Sequence, residues 1–418
     1  MPHPGRPLNA MRVLLLNQVF YPDVAATAQH GHDLARALVA AGHEVTAIAS
    51  RSLYGDATVR LPASETVDGI RIERVGRNWF GKRHLLGRMA DFGLFYLAAA
   101  LKSLRVGRHD VVIAFTTPPL IAGVGWLATR LRGGKLIYWS MDLYPEVAVA
   151  GGLVNRRSPA VRLVSAIDTA VMRGSAAVVA LGRCMRDRIL ARDVSPAKVH
   201  VIPVWGEETL PATTDGENSF RRQWGVGDRQ VLIMYSGNFG LGHDVQTFLG
   251  AARRLATDPT VRFAFVGGGA RRAEVERFIA EHRLGNCILA PYQPRERLAE
   301  LLAAGDIHLI TMLPSFAGVM VPSKLYGVLA AGRPAIFVGP AEAEGALTVE
   351  ELGCGAVVAP GDVDGLVSAI RGLASDREER VRMGEAGRRE AAARFGRGPA
   401  CEAWQRLVAT LDRNGNIA

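Results

Sequence analysis

Short apolar runs of strand length alternate with amphipathic stretches along nearly the whole chain, and they do so in two series. Met11 to Leu16, Glu44 to Ser50, Val111 to Phe115, Lys135 to Ser140, Ala177 to Ala180 and His200 to Ile202 form the first, with a helix over His30 to Ala41 after its first strand. Val231 to Tyr235, Arg262 to Val266, Cys287 to Leu289, Ile307 to Thr311, Ala335 to Val338 and Ala356 to Ala359 form the second. Runs apolar on both faces and joined by helices are the mark of parallel sheets with crossover connections. Between the series lies GEETLPATTDGENS, Gly206 to Ser219, polar and rich in turn formers. The pattern predicts an α/β protein of two Rossmann-like doubly wound domains: residues 1–204, a linker over 205–228, residues 229–395, and a last helix, 396–418, packing back on the first domain. Ligands of such sheets sit outside the carboxyl ends of the strands, so a cleft between the domains is the expected site.

Composition narrows the partners. The 418 residues are 49% hydrophobic, enough for two cores, and carry a net charge of +10, which calls for an acidic partner such as nucleotide phosphates, nucleic acid or an anionic membrane. No nucleic-acid recognition motif accompanies the charge, so no nucleic-acid partner is expected. Cys184, Cys287, Cys354 and Cys401 are scattered without paired spacing. Neither a zinc site nor a disulfide framework follows, and reduced cytosol is the expected setting. The start MPHPGRPLNA has no apolar core of signal-peptide length. Ile113 to Leu131 is apolar but broken by Pro118 and Pro119, and reads as strand, loop and helix, not a membrane span. Arg71 to Asp110 interleaves bases, among them Arg71, Arg74, Lys82, Arg83, Arg88 and Lys102, with Trp79, Phe80, Phe92, Phe95 and Tyr96. That mixture suits peripheral attachment to the inner face of an anionic membrane, or a helix packed on the first domain with only its charges exposed.

The strand exits carry the candidate chemistry. After the first strand, small residues Ala25 to Ala28 precede a helix and would allow close backbone approach to a ligand, but no GxGxxG fingerprint follows any strand. His30 and His32 fall on opposite faces of that helix and do not suggest a shared metal. YWSMDLYPEVAVAGG, Tyr138 to Gly152, puts Asp142 and Glu146 at a strand mouth, where a carboxylate could orient or deprotonate a hydroxyl or simply cap a turn. YSGNFGLGHDVQTFL, Tyr235 to Leu249, leaves its strand through three glycines and suits a backbone cradle for a diphosphate. In FVGGGARRAEVE, Arg271 and Arg272 read as a solvated helix start. In VMVPSKLYGVLAAGRP, Ser323 reads as the N-cap of a helix opening at Lys324, an anion site or a solvated first turn. Gly327 inside that helix costs about 1 kcal/mol relative to alanine, which points to close approach by a partner or to packing on a neighbour.

The order of FYPDVAATAQ, AAGHEVTAIAS, YSGNFG, FVGGG, LAPYQPRERLAELLAAGDIHL and VPSKLYGVLAAGRPAI resembles a family 4 glycosyltransferase of the GT-B fold, over nearly the whole chain. Within that family VPSKLYG and DLYPE are similar to bacterial transferases that build O-antigen, capsule or colanic acid, including N-acetylfucosaminyl transferases. The resemblance implies transfer of a sugar, with retention, from a nucleoside-diphosphate sugar, UDP favoured, to a lipid-linked or saccharide acceptor, without a metal or other cofactor. It implies donor-diphosphate contacts from Ser323, Lys324, Gly237, Asn238 and Gly240, nucleoside contacts from Tyr292, Gln293, Arg295 and Gly327, and an acceptor-side loop with Ala26, Thr27 and Gln29. Asp142, and after it Glu146, would serve the acceptor, because the histidine of many relatives falls near Met141. The family's paired glutamates are replaced here by Val319 and Gly327, and its usual arginine and lysine near Asn238 and His243 are missing. A sugar-nucleotide 2-epimerase of the same fold and a non-catalytic nucleotide-sugar-binding protein are the rival readings.

Overall fold

The computed structural model describes residues 10–53, 59–76, 85–206 and 218–413. The chain divides into two compact units, Met1–Pro203 with Cys401–Ala418, and Val204–Ala400. The first contains β1 (Arg12–Leu16), α1 (Ala26–Ala40), β2 (Glu44–Ser50), β3 (Ser64–Val67), β4 (Ile70–Val75), α2 (Leu85–Arg105), β5 (Val111–Ala114), α3 (Ile121–Arg132), β6 (Lys135–Trp139), α4 (Glu146–Ala150), α5 (Pro159–Gly174), β7 (Ala177–Ala180), α6 (Arg183–Leu190) and β8 (Val199–Val201). Its sheet runs β3-β4-β2-β1-β5-β6-β7-β8, parallel except for the β3–β4 hairpin. The direction of winding reverses between β1 and β5, so the exits of β1, β5 and β6 surround the switch point where such sheets take ligands.

The interior strands are fully buried, as their unbroken apolar sequences require: all four residues of β5 and of β7 have almost no exposure. The β3–β4 hairpin is absent from the sequence expectation because neither SETV, with three polar residues in a row, nor IRIERV, with three charged ones, is an unbroken apolar run. Its signal is the turn: Val67 pairs with Ile70 across Asp68 and Gly69, both at positive φ (52° and 77°), as a two-residue hairpin loop demands. The segment of bases and aromatics from Arg71 onward divides. Arg71 and Lys102 pair with Glu73 at 2.6 Å, and Arg74 is buried, paired with Glu65 at 2.6 Å and donating to the Tyr21 carbonyl at 2.7 Å. Phe95 is buried, while Trp79, Phe80, Lys82 and Arg83, with the Arg88 side chain, lie outside the described residues. The apolar run around Pro118 is strand β5, loop and helix α3, as its sequence implies. No helix among the described residues is long and apolar enough to cross a membrane.

The second unit contains α7 (Ser219–Gln223), β9 (Val231–Ser236), α8 (Val245–Arg254), β10 (Val261–Val266), α9 (Arg272–Glu281), β11 (Cys287–Ala290), α10 (Leu298–Ala304), β12 (Ile307–Thr311), α11 (Lys324–Ala330), β13 (Ala335–Val338), α12 (Glu344–Leu352), β14 (Gly355–Val358), α13 (Val363–Ser375) and α14 (Arg377–Arg394), and its end opens α15 (Arg397–Arg413). Its all-parallel sheet runs β11-β10-β9-β12-β13-β14, with the switch between β9 and β12. Successive residues of β9 alternate between two cores. Val231, Ile233 and Tyr235 join the cluster under α8 and α13, and Leu232 and Met234 join the one that includes Phe220.

Residues 218–228, expected as the end of a linker, belong to this unit's framework. Buried Arg221 on α7 pairs with Asp306 at 2.7 Å and donates to the carbonyls of Ala304 and Gln230, while the Leu232 amide donates to the same carboxylate. At the other end of the chain, α15 brings Trp404 against Trp139 of the first unit's sheet, ring centroids 4.5 Å apart, and Gln405 donates to the Ala37 carbonyl of α1.

Candidate functional site

In the second unit β9 and β10 lie side by side and leave the sheet through Gly237–Gly242 and Gly267–Gly269. These loops pack backbone against backbone. A Cβ on Gly267, whose φ is +130°, would stand 2.0 Å from the Gly237 carbonyl oxygen, so no other residue fits. The Phe239 amide donates to the Gly268 carbonyl at 2.7 Å and the Arg271 amide to the Phe239 carbonyl at 3.0 Å. Arg271 and Arg272, expected to be solvated, are half-buried braces of these loops. Arg271 pairs with Glu274 and donates to the His243 carbonyl. Arg272 pairs with Glu276 and donates to the carbonyls of Gly267 and, at 2.7 Å, Ala290.

Lys324, the first residue of α11, reaches the β9 exit. Its ammonium donates to the Tyr235 hydroxyl and, at 3.4 Å, to the Asn238 carbonyl, and stands 3.8 Å from the centre of the Tyr235 ring. The Gly237 Cα lies along its methylene stem. Among the described residues no carboxylate pairs with it, and burial pulls its pKa down to about 7. Tyr235 donates to the Asn238 carbonyl at 2.6 Å and lies 2.9 Å from His243 Nδ1, which also accepts from the Gly240 amide at 3.0 Å. An amide can only donate, so Nδ1 carries no proton and the ring is neutral. Burial first and the Lys324 charge second hold His243 down at about 3. The cluster is thus one cation surrounded by dipoles, an arrangement suited to an anion. Tyr235 and His243 were not predicted as site residues. Their cue is a tyrosine closing an apolar strand eight residues before a histidine, too common a spacing to read as a site.

The other predicted donor-side residues divide. Tyr292 is 59% exposed after β11, its hydroxyl 3.2 Å from the Gly268 carbonyl and 3.5 Å from Asn238 Oδ1. Gln293 bonds its own loop at the Pro291 carbonyl, and Arg295 is exposed at the start of a short 3₁₀ turn. At α11 the expected N-cap is corrected, and crowding by a neighbour does not account for Gly327. Ser323 precedes the helix, but its own backbone is helical (φ −56°, ψ −22°) and its side chain caps nothing, because the preceding chain does not enter in the extended form that aims a cap oxygen at the first turn. Gly327 is not crowded: a Cβ there would meet only Leu302 Cδ1, at 3.4 Å. Val319 is buried.

In the first unit Asp142 follows β6, and its amide donates to Thr116 Oγ1 at 3.3 Å, joining this exit to that of β5. No cation among the described residues pairs with it, and burial pushes its carboxyl up to about 6. It does not cap α4, which opens after Pro145 with no side-chain cap. Glu146 behaves differently. It pairs at 2.5 Å with Arg192, whose other nitrogen holds buried Asp168 at 2.9 Å, and Tyr138 donates to Asp168 at 2.7 Å. Glu146 therefore anchors the loop, while Asp142 has no ion-pair partner among the described residues. Arg192 carries no sequence signal, standing alone after α6. Ala26, Thr27 and Gln29 are not in a loop: α1 begins at Ala26, four residues earlier than expected, because three of the small residues there are compatible with a helical first turn. Gln29 turns back to the Val24 carbonyl at 2.8 Å. His30 is buried and His32 pairs with Asp68 at 3.3 Å. No group of three His, Cys, Asp or Glu side chains among the described residues is placed to hold a metal ion.

Two doubly wound units with parallel sheets define a GT-B protein, and solved structures share that fold. Sucrose-phosphate synthase from Thermosynechococcus elongatus superposes with a TM-score of 0.77 at 20% identity, covering 96% of this chain and 99% of that one. Anabaena Alr3699/HepE in complex with UDP-glucose gives 0.71 at 18% identity, covering 96% and 100%. Residues 26–205 match the Glycosyl transferase 4-like domain and residues 217–390 the Glycosyl transferases group 1 domain, and the chain belongs to the family 4 glycosyltransferases. Among relatives, the protein of Escherichia coli (strain K12) named as colanic acid biosynthesis glycosyl transferase WcaI is 26% identical, over 86% of this chain and 91% of its own. The Pseudomonas aeruginosa protein named as glycosyltransferase WbjE is 28% identical, over 69% and 72%.

Proposed function

We propose that this glycosyltransferase takes a sugar from a UDP-sugar and transfers it, with retention, to a lipid-linked or saccharide acceptor in bacterial cell-surface polysaccharide synthesis. The observation that carries the donor half is the desolvated Lys324 ammonium set among the Gly237–Gly240 backbone, the Tyr235 hydroxyl and the Asn238 carbonyl. A diphosphate there would hold the Lys324 ammonium in its charged form, and that charge would stabilise the leaving phosphate as the sugar–oxygen bond breaks. The acceptor oxygen bonds to the anomeric carbon on the face that the diphosphate leaves, and its proton passes to the departing phosphate oxygen. Asp142, held near neutral pKa by burial, orients the acceptor hydroxyl. The complexes of Anabaena HepE with UDP-glucose and UDP on the same fold support the choice of base, and the name of WcaI supports the polysaccharide setting.

The test is thermal stabilisation of the wild type and of Lys324→Ala by UDP, GDP, ADP, CMP and NAD. At a hundredfold excess over Kd, a nucleotide that binds only the native state adds about 2.7 kcal/mol. UDP is expected to raise the Tm of the wild type and to lose most of that effect in Lys324→Ala. No response to any nucleoside diphosphate, or a response to NAD alone, would overturn the donor reading. UDP-sugar turnover that yields a new sugar nucleotide without free UDP would move the chain to the epimerases, and binding without turnover to non-catalytic proteins.

A further inference from the structure

The first unit exposes an apolar layer on one face of its sheet. Each of the connections β4 to β5, β5 to β6 and β6 to β7 advances in the same direction across the sheet, so right-handed crossovers place α2, α3 and α5 on one face. Contacts bind them into a single layer. The Tyr96 hydroxyl of α2 donates to the Pro119 carbonyl just before α3, Arg132 of α3 donates to the Leu104 carbonyl of α2 at 2.9 Å, and the α5 terminus at Gly174 abuts Trp126 of α3.

Outward from this layer point Leu94, Leu97 and Leu101 of α2, spaced by three and four residues, with Leu127 and Leu131 of α3. Leu163 and Ile167 continue the pattern on α5, where Ala166 and Ala170 of the same stripe are also exposed. Leucines 94, 97, 131 and 163 are 47%, 61%, 61% and 62% exposed, on helices whose opposite faces already fill the core. An apolar face this broad on a soluble domain marks an interaction surface.

Its charges are of one sign. The sequences of α2, α3 and α5 hold two acids, Asp91 and Asp168, and both are buried. Arg105 at the end of α2, Arg130 and Arg132 at the end of α3, and Arg156, Arg157 and Arg162 around the start of α5 are exposed. Arg130 lies over the Trp126 ring, and Arg173 is left out of this set because Asp193 pairs with it.

We infer that the α2–α3–α5 face lies flat on an anionic lipid bilayer, its leucines entering the acyl boundary and its arginines reaching the phosphates. Three helices lying in the plane, apolar outward and with only cations exposed among their own charged residues, fit this partner. A second copy of the chain fits worse, since a two-fold pairing of this face would bring cationic rims together. No helix among the described residues is long and apolar enough to span the bilayer, so the face lies on it. The surface deepens the proposed function, on which it rests only in that a lipid-linked acceptor would be met there.

The test uses the full chain with vesicles of phosphatidylglycerol and phosphatidylethanolamine, and with vesicles of phosphatidylcholine alone. The wild type is expected to sediment with the anionic vesicles at least about tenfold more than with the zwitterionic ones, the difference shrinking with added sodium chloride. Leu97→Asp combined with Ile167→Asp should cut the binding at least about tenfold at every salt concentration. Arg156→Glu combined with Arg162→Glu should cut it by a similar factor at low salt and has no apolar contact to lose, so it serves if the first variant folds poorly. Both variants should keep the UDP-induced rise in Tm, which separates failure of this face from failure of the donor reading. Wild type left in the supernatant, or variants that bind as the wild type does, would overturn the inference. A lipid-free dimer that Leu97→Asp dissociates would assign the face to a second copy instead.

Discussion

The two strand-exit sites treat a buried ionisable group in opposite ways. At the end of β6, no cation among the described residues pairs with Asp142, and burial raises its carboxyl to about 6, while Arg192 holds Glu146 and Asp168. At the end of β9, Lys324 pairs with no carboxylate among the described residues but is ringed by a hydroxyl, a carbonyl and an aromatic face, and its ammonium falls to about 7. Desolvation is the cause in both. An acid deprived of a cation gains affinity for a proton, which suits contact with a hydroxyl. A cation surrounded by dipoles keeps its charge only marginally at neutral pH, and a dianionic ligand would restore it.

The largest effect should come from breaking the first arrangement at its brace. Arg192→Met leaves Asp168 buried without its cation and Glu146 unpaired, and should cost about 3–5 kcal/mol of stability in denaturant unfolding. A loss under 1 kcal/mol would mean that the network is dispensable.

Next in size is a pH effect on Asp142 itself. Its folded pKa, about 6, lies above the ordinary 3.8, so the native state binds the extra proton between those values and stability falls as pH rises from about 4 to about 6. Above that window the ionised carboxylate costs up to about 3 kcal/mol, at 1.36 kcal/mol for each unit of pKa. Asp142→Asn should therefore raise Tm relative to the wild type at pH about 8 and leave it nearly unchanged at pH about 4. Equal shifts at both would show that the carboxyl is not desolvated. The same variant should lower kcat for transfer while leaving UDP binding intact.

The smallest effect sharpens the second site. Gly327→Ala puts a methyl in ordinary contact with Leu302 and removes a helix-interior glycine, so it should gain up to about 1 kcal/mol. If Tm rises while KM for the UDP-sugar rises severalfold, the glycine is kept for the ligand. If Tm rises and KM does not move, position 327 is a structural accident of this branch.

What could be read in the sequence followed from periodicity. The buried strands were legible because burial on both faces forbids polar residues along the whole run, and Glu44–Ser50, Ala177–Ala180, Ile307–Thr311 and Ala335–Val338 stand where the sequence places them. The β3–β4 hairpin was not, since an edge hairpin needs only alternate apolar residues and its cue is the single Asp68–Gly69 pair. On the donor side, Gly237, Asn238 and Gly240 share one glycine-rich loop, and Lys324 reaches it from the start of α11, so these four residues do come together. Arg192, Tyr235 and His243 were not, because their parts depend on which strand ends the topology makes neighbours. Helix capping was also misread at Ser323, where residue type favoured a cap and local backbone geometry did not supply one.

Arg221 has a practical consequence for exchanging parts between relatives. Its guanidinium is the counter-ion of Asp306, the carboxylate on which the start of β12 and the amide of Leu232 both hang. A donor half grafted from residue 229 onward would carry that carboxylate without its cation. The seam for such a chimera belongs before Asn218, whose side chain both caps α7 and grips the Glu300 carbonyl.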